Sequence, residues 1–358
     1  MPTFTADTLR RIGQTMLMAA GCSEEDAVVV ADHLVESNLF GHDSHGALRF
    51  YHYCELFRSG ELRHGRHPDI TRESPSTAVV DGNQSMGQVA AAFAARIAIE
   101  KAEANGISLV TLHNTTHIGR VGAYPLMAAR KGLMAQVVAN AGPAGFEVAP
   151  FGGIDGTLAS SPLAFAAPRR DAPPILLDMT TSVAAIAKIW VAENKGERLP
   201  EGWIIDHEGR PSTDPKDFTR EPRGAMLPLG GSAGHKGYGL SMMVELLGGA
   251  LSGEGCTQGK TKVLGNGVAI TCIHVDHFID RESYFDEAEA LVRQVKSSRP
   301  APGHEKVFLP GEIEFANADR KNREGIELDD TTWKKILAEA KELGIDTGDW
   351  TSAVREPA

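Results

Sequence analysis

Strand-like and helix-like patterns alternate from residue 77 to residue 139, and this alternation confines the chain to an α/β fold. Residues 77–80 read as a strand and 87–105 as a helix. Residues 107–112, with their β-branched side chains, read as a second strand, and 133–139 read as a third after a helix that runs through Arg130. No stretch places Gly-x-Gly-x-x-Gly between a strand and a helix, so the Rossmann way of holding a dinucleotide is missing. A nicotinamide cofactor, if one is used, must be held in another way.

The flanking segments carry different patterns. Residues 5–58 read as helices. Thr5 or Asp7 can cap the first, and Ser23-Glu24-Glu25-Asp26 opens a second with acids in its first turn, where the helix dipole favours them. Leu34, Val35 and Leu39 form its apolar stripe, and a further helix is expected over 46–57. Glycine and proline punctuate short apolar runs from 140 to 235, which predicts sheet with long structured loops. Residues 239–251 are apolar on nearly every side and predict a buried helix, while 268–275 alternate like a strand. A polar-faced helix over 283–297, a Pro/Gly breaker over 298–303 and a final helix over 331–343 complete the chain. With neither a repeat nor a low-complexity linker, the domains are expected to interleave.

A formal charge of -11 argues against a nucleic-acid or acidic-membrane surface, and no run reaches the ~18 apolar residues of a membrane helix. The expected setting is cytoplasmic. Cys22, Cys54, Cys256 and Cys272 stand far apart, which speaks against a zinc ribbon or a dithiol centre. The histidine pairs 42/45, 113/117 and 274/277 invite a metal, but none sits in His-Glu-x-x-His, so no bound metal is expected. The stretch 253–261 superficially resembles a phosphate loop, yet its glycine spacing is one residue too long and no strand precedes it.

Two histidine-bearing stretches carry the chemistry. Ser44-His45-Gly46-Ala47-Leu48-Arg49 gathers a hydroxyl, an imidazole and a guanidinium within six residues. An Arg clamps a planar carboxylate with parallel charge-assisted bonds, and a His moves one proton near neutrality. Reduction of a 2-oxo acid needs both. The second stretch, His117-Ile118-Gly119-Arg120, follows a strand in a glycine-flanked loop, a frequent place for function. Bland readings stand beside these: a capping role for His45, a surface position for Arg49, and a helix cap for Asp178 at a helix starting near Thr181.

At these residues the chain resembles the type-2 malate/L-lactate dehydrogenase family, oxidoreductases unrelated to the Rossmann lactate and malate dehydrogenases. Further landmarks are Pro150-Phe151-Gly152-Gly153, Leu177-Asp178-Met179-Thr180-Thr181-Ser182, Pro228-Leu229-Gly230-Gly231, His235-Lys236-Gly237-Tyr238 and Pro310-Gly311-Glu312. The resemblance implies a non-Rossmann NAD(P)-binding mixed-sheet domain over 73–300, with helical segments over 1–72 and 301–358 packing together. It implies a homodimer, NAD or NADP as cofactor, and a small carboxylate as substrate. It assigns the carboxylate-binding and proton-handling neighbourhood to Ser44, His45 and Arg49 and a second essential histidine to His117; of the two histidines we favour His117 over His45 as the one that handles the proton. Asn140, Asp178, Met179, Thr180, Ser182, Gly231, Lys236 and Gly237 would bind the cofactor, although Lys236 can also be read as merely exposed. Asp178 has a further reading, as the group holding a catalytic His in one tautomer.

Two residues depart from the family pattern. Ser161-Pro162 stands where the family carries Asn-Pro, and Arg120 stands where a small residue is usual. Arg120 can contact a second anionic group on the substrate or pair with an acid across the fold. The leading expectation is hydride transfer with a small 2-hydroxy/2-oxo acid of the malate, lactate or sulfolactate type. Alternatives are reduction of a cyclic ketimine carboxylate, a metal-assisted hydrolase or lyase, and a non-catalytic carboxylate-binding protein.

Overall fold

The computed structural model describes residues 1–143, 145–258 and 265–352. Helix α1 (Ala6–Ala19) is capped by Thr5, whose side chain accepts from the Thr8 N–H, and α2 (Glu24–Leu39) by Ser23, which accepts from the Asp26 N–H. The expected helix at 46–57 starts later. Asp43–His45 forms one 3₁₀ turn, and α3 (Arg49–Ser59) follows it.

Seven strands make one mixed sheet: β1 (Asp69–Glu73), β2 (Thr77–Asp81), β3 (Ile107–His113), β4 (Leu133–Ala139), β5 (Pro162–Ala167), β6 (Ile175–Thr180) and β7 (Val268–His274). Their order is β1-β2-β3-β7-β4-β5-β6, and only β2 and β3 run parallel. Helix α4 (Gly87–Asn105) makes the crossover between those two. It turns Ala90, Ala91, Ala94, Ala95, Ala98 and Ala102 inward. Single methyl groups let its backbone come close to the sheet, and Ser108 on β3 donates to the Ala98 carbonyl at 2.6 Å. Helix α5 (Ala123–Ala129) covers β4 and β5 on the same core.

The registers bring the chain ends of several strands to one edge. Asp81 pairs with His113, Val268 with Leu112 and Ala139, and Pro162 with Thr180. The loops after β3, β4 and β6 therefore leave the sheet from the same side.

Helix α6 (Ile186–Lys195) begins five residues beyond the helix start expected near Thr181, so Asp178 does not cap it. The 239–251 segment also differs from expectation. Helix α7 (Gly234–Val244) starts earlier and continues as a π-helical turn, Glu245–Ala250. Val244 packs with Val138, Leu163 and Ala269, whereas Leu240, Met242, Met243, Leu246 and Leu251 are exposed. One face meets the sheet and the other is open, so the helix is not a buried one. Of the 253–261 stretch, residues 259–261 lie outside the described residues.

Helix α8 (Arg281–Lys296) is followed by α9 (Glu312–Glu324) and α10 (Asp330–Glu342). The sequence reading lacked α9, which buries none of its residues fully and so shows no clear apolar stripe. Thr3–Phe4 pairs antiparallel with Ile326–Glu327, and Phe4 packs on Trp333 with ring centroids 4.7 Å apart. Phe4, Leu9, Ile12, Met16, Leu34, Phe50, Trp333 and Ile336 share one core, so the N-terminal helices and α10 are built into the same helical layer.

Candidate active site

Asn38, buried at the end of α2, holds the Ser44-His45 turn. Its amide donates to Asp43 at 2.6 Å, its Oδ1 accepts from the Ala47 N–H at 2.6 Å, and Lys321 donates to its carbonyl. The turn places Ser44 Oγ 3.0 Å from His45 Nδ1. Arg49, in the first turn of α3, donates through Nε to the Ser44 carbonyl at 3.1 Å. No carboxylate among the described residues pairs with its terminal nitrogens. A partly buried guanidinium tethered by one carbonyl is a ready receptor for an anion.

His117 is held from the opposite side. The chain leaves β3 through Asn114, a non-glycine residue at φ 53, with Asn83 and Gln84 also at positive φ in the neighbouring loop. Hydrogen bonds over-determine this strained pair of loops. Asn114 donates its N–H to Glu254 and its amide to Asp81, Gln84 N–H donates to the Asn114 carbonyl, and Gly87 N–H donates to Thr116 Oγ1. A Cβ on Gly87 would stand 2.3 Å from the His117 carbonyl oxygen, so only glycine permits this approach of α4.

The two motifs meet at their imidazoles. His45 and His117 stack with centroids 5.5 Å apart and an interplanar angle of 22°. His117 Nδ1 lies 3.0 Å from the Tyr53 hydroxyl, which also accepts from Gln88 Nε2 at 2.8 Å. Burial, then the Arg49 charge, pushes His45 down to about 4. Burial, followed by His45 and Arg49, holds His117 well below the ordinary imidazole value. Both rings are neutral near pH 7, so either can accept a proton or present an N–H.

Arg120 faces acids rather than open space. It donates to Glu36 at 2.8 Å and lies 3.4 Å from Asp178, while its guanidinium covers the Phe40 ring at 4.6 Å. Its backbone N–H donates to His33 Nε2 at 2.9 Å. Of the two readings open from sequence, Arg120 shows the pairing with acids across the fold. Asp178 also accepts from the Gly122 N–H at 3.0 Å, and it makes no hydrogen bond to His45 or His117 among the described residues.

The residues expected to hold a cofactor fall into two groups. Asn140 is fully buried, its amide donating to Glu245 and the Gly255 carbonyl and its Oδ1 accepting from Gly142 and Gly267 N–H groups. Glu245, from the π turn, also accepts from Ser161 and Thr257, so Ser161 belongs to this bracing network. Met179 and Thr180 end β6, and Ser182 turns its hydroxyl to Thr180 and the Ala184 carbonyl. Gly231, Lys236 and Gly237 lie at the start of α7, whose first turn has no side-chain cap. Gly230 and Gly231 both have positive φ, a Cβ on Gly231 would meet nothing within 4 Å, and Lys236 is exposed. An open glycine turn leading into an uncapped helix N-terminus beside a lysine fits a pyrophosphate.

Sequence reasoning missed Tyr53, Gln88, Asn38 and Glu36. Tyr53 was reachable, since it stands four residues after Arg49 on one helix and shares its face. Gln88 reaches the site only through the fold of α4 against α3, which no local pattern announces.

Comparison with known proteins follows this geometry. Residues 4–337 match the malate/L-lactate dehydrogenase family model. The chain is 38% identical over 343 residues to a malate dehydrogenase of Pyrococcus horikoshii, covering 93% of this chain and 92% of that one. It is 36% identical over 348 residues to hydroxycarboxylate dehydrogenase B of Escherichia coli O157:H7, covering 96% and 94%. The structure of sulfolactate dehydrogenase from Methanocaldococcus jannaschii superposes with a TM-score of 0.88 at 30% identity, covering 97% of this chain and 99% of that one. The chain is therefore a member of the malate/L-lactate dehydrogenase family of 2-hydroxyacid dehydrogenases.

Proposed function

We propose that this chain transfers hydride between NAD or NADP and C2 of a small 2-hydroxy/2-oxo acid, with Arg49 and Ser44 holding the carboxylate and His117 handling the proton. The observation that carries the reading is the meeting of Arg49, tethered to the Ser44 carbonyl and without a carboxylate partner among the described residues, with a neutral His117 across the stacked His45 ring. Arg49 offers two parallel N–H groups to the carboxylate and thereby orients C2. In the oxidative direction the hydroxyl proton passes to His117 as hydride leaves C2, and in reduction His117 returns it to the nascent alkoxide. His45, hydrogen-bonded to Ser44, lines the carboxylate side.

The nicotinamide, when bound, accepts or returns the hydride. The Gly230–Gly231 turn, the start of α7 and Lys236 would hold its pyrophosphate, while Met179, Thr180 and Ser182 border the same edge of the sheet. Asp178 acts there through Arg120 and Gly122, fixing the loop that carries His117. Arg120, engaged by two carboxylates, belongs to that frame in this reading rather than to a second anion site. We further propose that residues 73–300 hold the cofactor and the reacting end of the substrate, and that the helical layer of 1–72, packed with residues 301–352, adds Ser44 and Arg49 to the carboxylate. The exposed apolar face of α7 is the proposed contact of a homodimer. Among the described residues no helix is long and apolar enough to cross a membrane.

The test is absorbance of NADH and, separately, NADPH on adding pyruvate, oxaloacetate, sulfopyruvate, 2-oxoglutarate or a cyclic imine carboxylate to the purified protein. Oxidation with a 2-oxo acid supports the reading, and turnover with the imine alone moves the reaction to C=N reduction. Failure of every substrate, with neither cofactor binding, overturns it. Light scattering of the eluting protein reads the dimer directly.

A further inference from the structure

Tyr53 stands between two groups and has one proton to give. Its hydroxyl lies 3.0 Å from His117 Nδ1 and 2.8 Å from Gln88 Nε2, and all three side chains are buried or nearly so. Burial pushes the phenol up from its ordinary value, so it keeps its proton. With the Gln88 amide nitrogen donating to the hydroxyl, the hydroxyl donates to Nδ1, and neutral His117 carries its proton on Nε2. With the amide turned over, Gln88 Oε1 accepts from the hydroxyl, the hydroxyl accepts from Nδ1–H, and Nε2 is a bare lone pair. Gln88 Oε1 is buried with no hydrogen-bond partner, so no other bond pins the amide in the first arrangement.

We propose that Gln88 is a positioning residue that acts through Tyr53 to set the tautomer of His117, and that its amide, by turning over, opens Nε2 as the base toward the substrate. The inference rests on the dehydrogenase reading above. Oxidation moves the substrate hydroxyl proton onto His117 while hydride leaves C2, which requires a bare nitrogen toward the substrate. Reduction runs that step backwards: the imidazolium gives its Nε2 proton to the nascent alkoxide and keeps Nδ1–H toward the Tyr53 oxygen. A carboxamide carries a donor and an acceptor on one uncharged group, so it supports both tautomers of the neutral ring, and the turned-over arrangement is the one through which the proton passes in either direction.

The surroundings make the tautomer, rather than the charge, the variable of the resting protein. Among the described residues the groups facing His117 are His45 from the 3₁₀ turn, Arg49, His52 and Tyr53 from α3, His33 from α2 and Gln88 from α4. None of these is a carboxylate, and the guanidinium and neighbouring imidazoles disfavour an imidazolium.

Long-range nitrogen–proton NMR of the His117 ring in the full chain, without cofactor, tests this. The wild-type ring is expected to show both nitrogens at shifts averaged between the two tautomers. Gln88→Glu, an acceptor only when ionised, is expected to move the ring to Nδ1–H, and Gln88→Met, offering neither, to Nε2–H. In turnover, Gln88→Met is expected to lower kcat by about 10–100-fold with KM for the acid unchanged, as misplacement of a catalytic group does. Identical His117 shifts in all three proteins would overturn the proposal. Should the buried charge of Gln88→Glu prevent folding, Tyr53→Phe replaces it. With the hydroxyl gone, the His117 shifts must become insensitive to Gln88→Met, and continued sensitivity overturns the relay. Because the shifts are read without cofactor, they stand or fall separately from the dehydrogenase reading.

Discussion

Arg49 and Arg120 lie near the same site in opposite electrostatic surroundings. Arg49 stands at the start of a helix, is tethered through one nitrogen to the Ser44 carbonyl and faces no carboxylate among the described residues. Arg120 sits in the loop after β3, is buried, and is shared between Glu36 and Asp178 with Phe40 against its face. Glu36 in turn reaches Arg130, so the charges around Arg120 close among themselves. The same side chain is thus a fastener on the sheet wall and, in the proposed function, a receptor on the helical wall. What separates them is the partners that the fold supplies.

The largest expected effect lies beyond either arginine, at His117, the ring proposed to handle the proton. His117→Ala should reduce kcat by roughly 10²–10⁴, the usual worth of a general acid or base. A loss under tenfold in steady-state assays would assign the proton elsewhere. Next comes Arg120→Met, which leaves two carboxylates without their buried cation and should cost about 3–5 kcal/mol of stability in urea unfolding. Arg49→Met removes only the proposed anion receptor. It should raise KM for the 2-oxo acid roughly 10–100-fold, the worth of a charge-assisted hydrogen bond, with unfolding unchanged.

The smallest effect per step is in pH. His33, fully buried and accepting from the Arg120 N–H, is pushed down to about 3 by burial first and then by the Arg120 charge. Its folded form is neutral while the unfolded chain binds a proton below the ordinary imidazole value, so the unfolded state holds more protons in that window. Stability is therefore complete above about pH 6.5 and is lost as pH falls toward the folded value, at up to about 1.4 kcal/mol per pH unit for each such histidine. His45, lowered to about 4, acts with the same sign. Unfolding midpoints between pH 7 and pH 4 should fall accordingly, and His33→Gln should flatten the slope.

Much of the scaffold was legible in local patterns, because β2, β3, β4 and α4 each bury a face of regular period. Caps at Thr5 and Ser23 were legible for the same local reason. Helix α9 was not, since its side chains are mostly polar and it packs through occasional contacts such as Phe315 and Ala318. The apolar 239–251 run misled in the other direction, because composition alone does not say which face a neighbour covers. Of the site, Ser44, His45, Arg49 and His117 could be named from two short stretches, and the structure brings them together. The partners that set their chemistry, Tyr53, Gln88 and Glu36, come from helices far away in sequence. Asp178 illustrates the limit: the expected helix cap lies beside no helix start, and its carboxylate serves Arg120 and Gly122 instead.

The comparison between the two arginines is decided by measuring KM for the accepted 2-oxo acid and the urea midpoint side by side for Arg49→Met and Arg120→Met. Arg49→Met should raise KM with an unchanged midpoint, and Arg120→Met should lower the midpoint. A raised KM with an unchanged midpoint in Arg120→Met would instead make Arg120 a substrate ligand and contradict the division of roles described above.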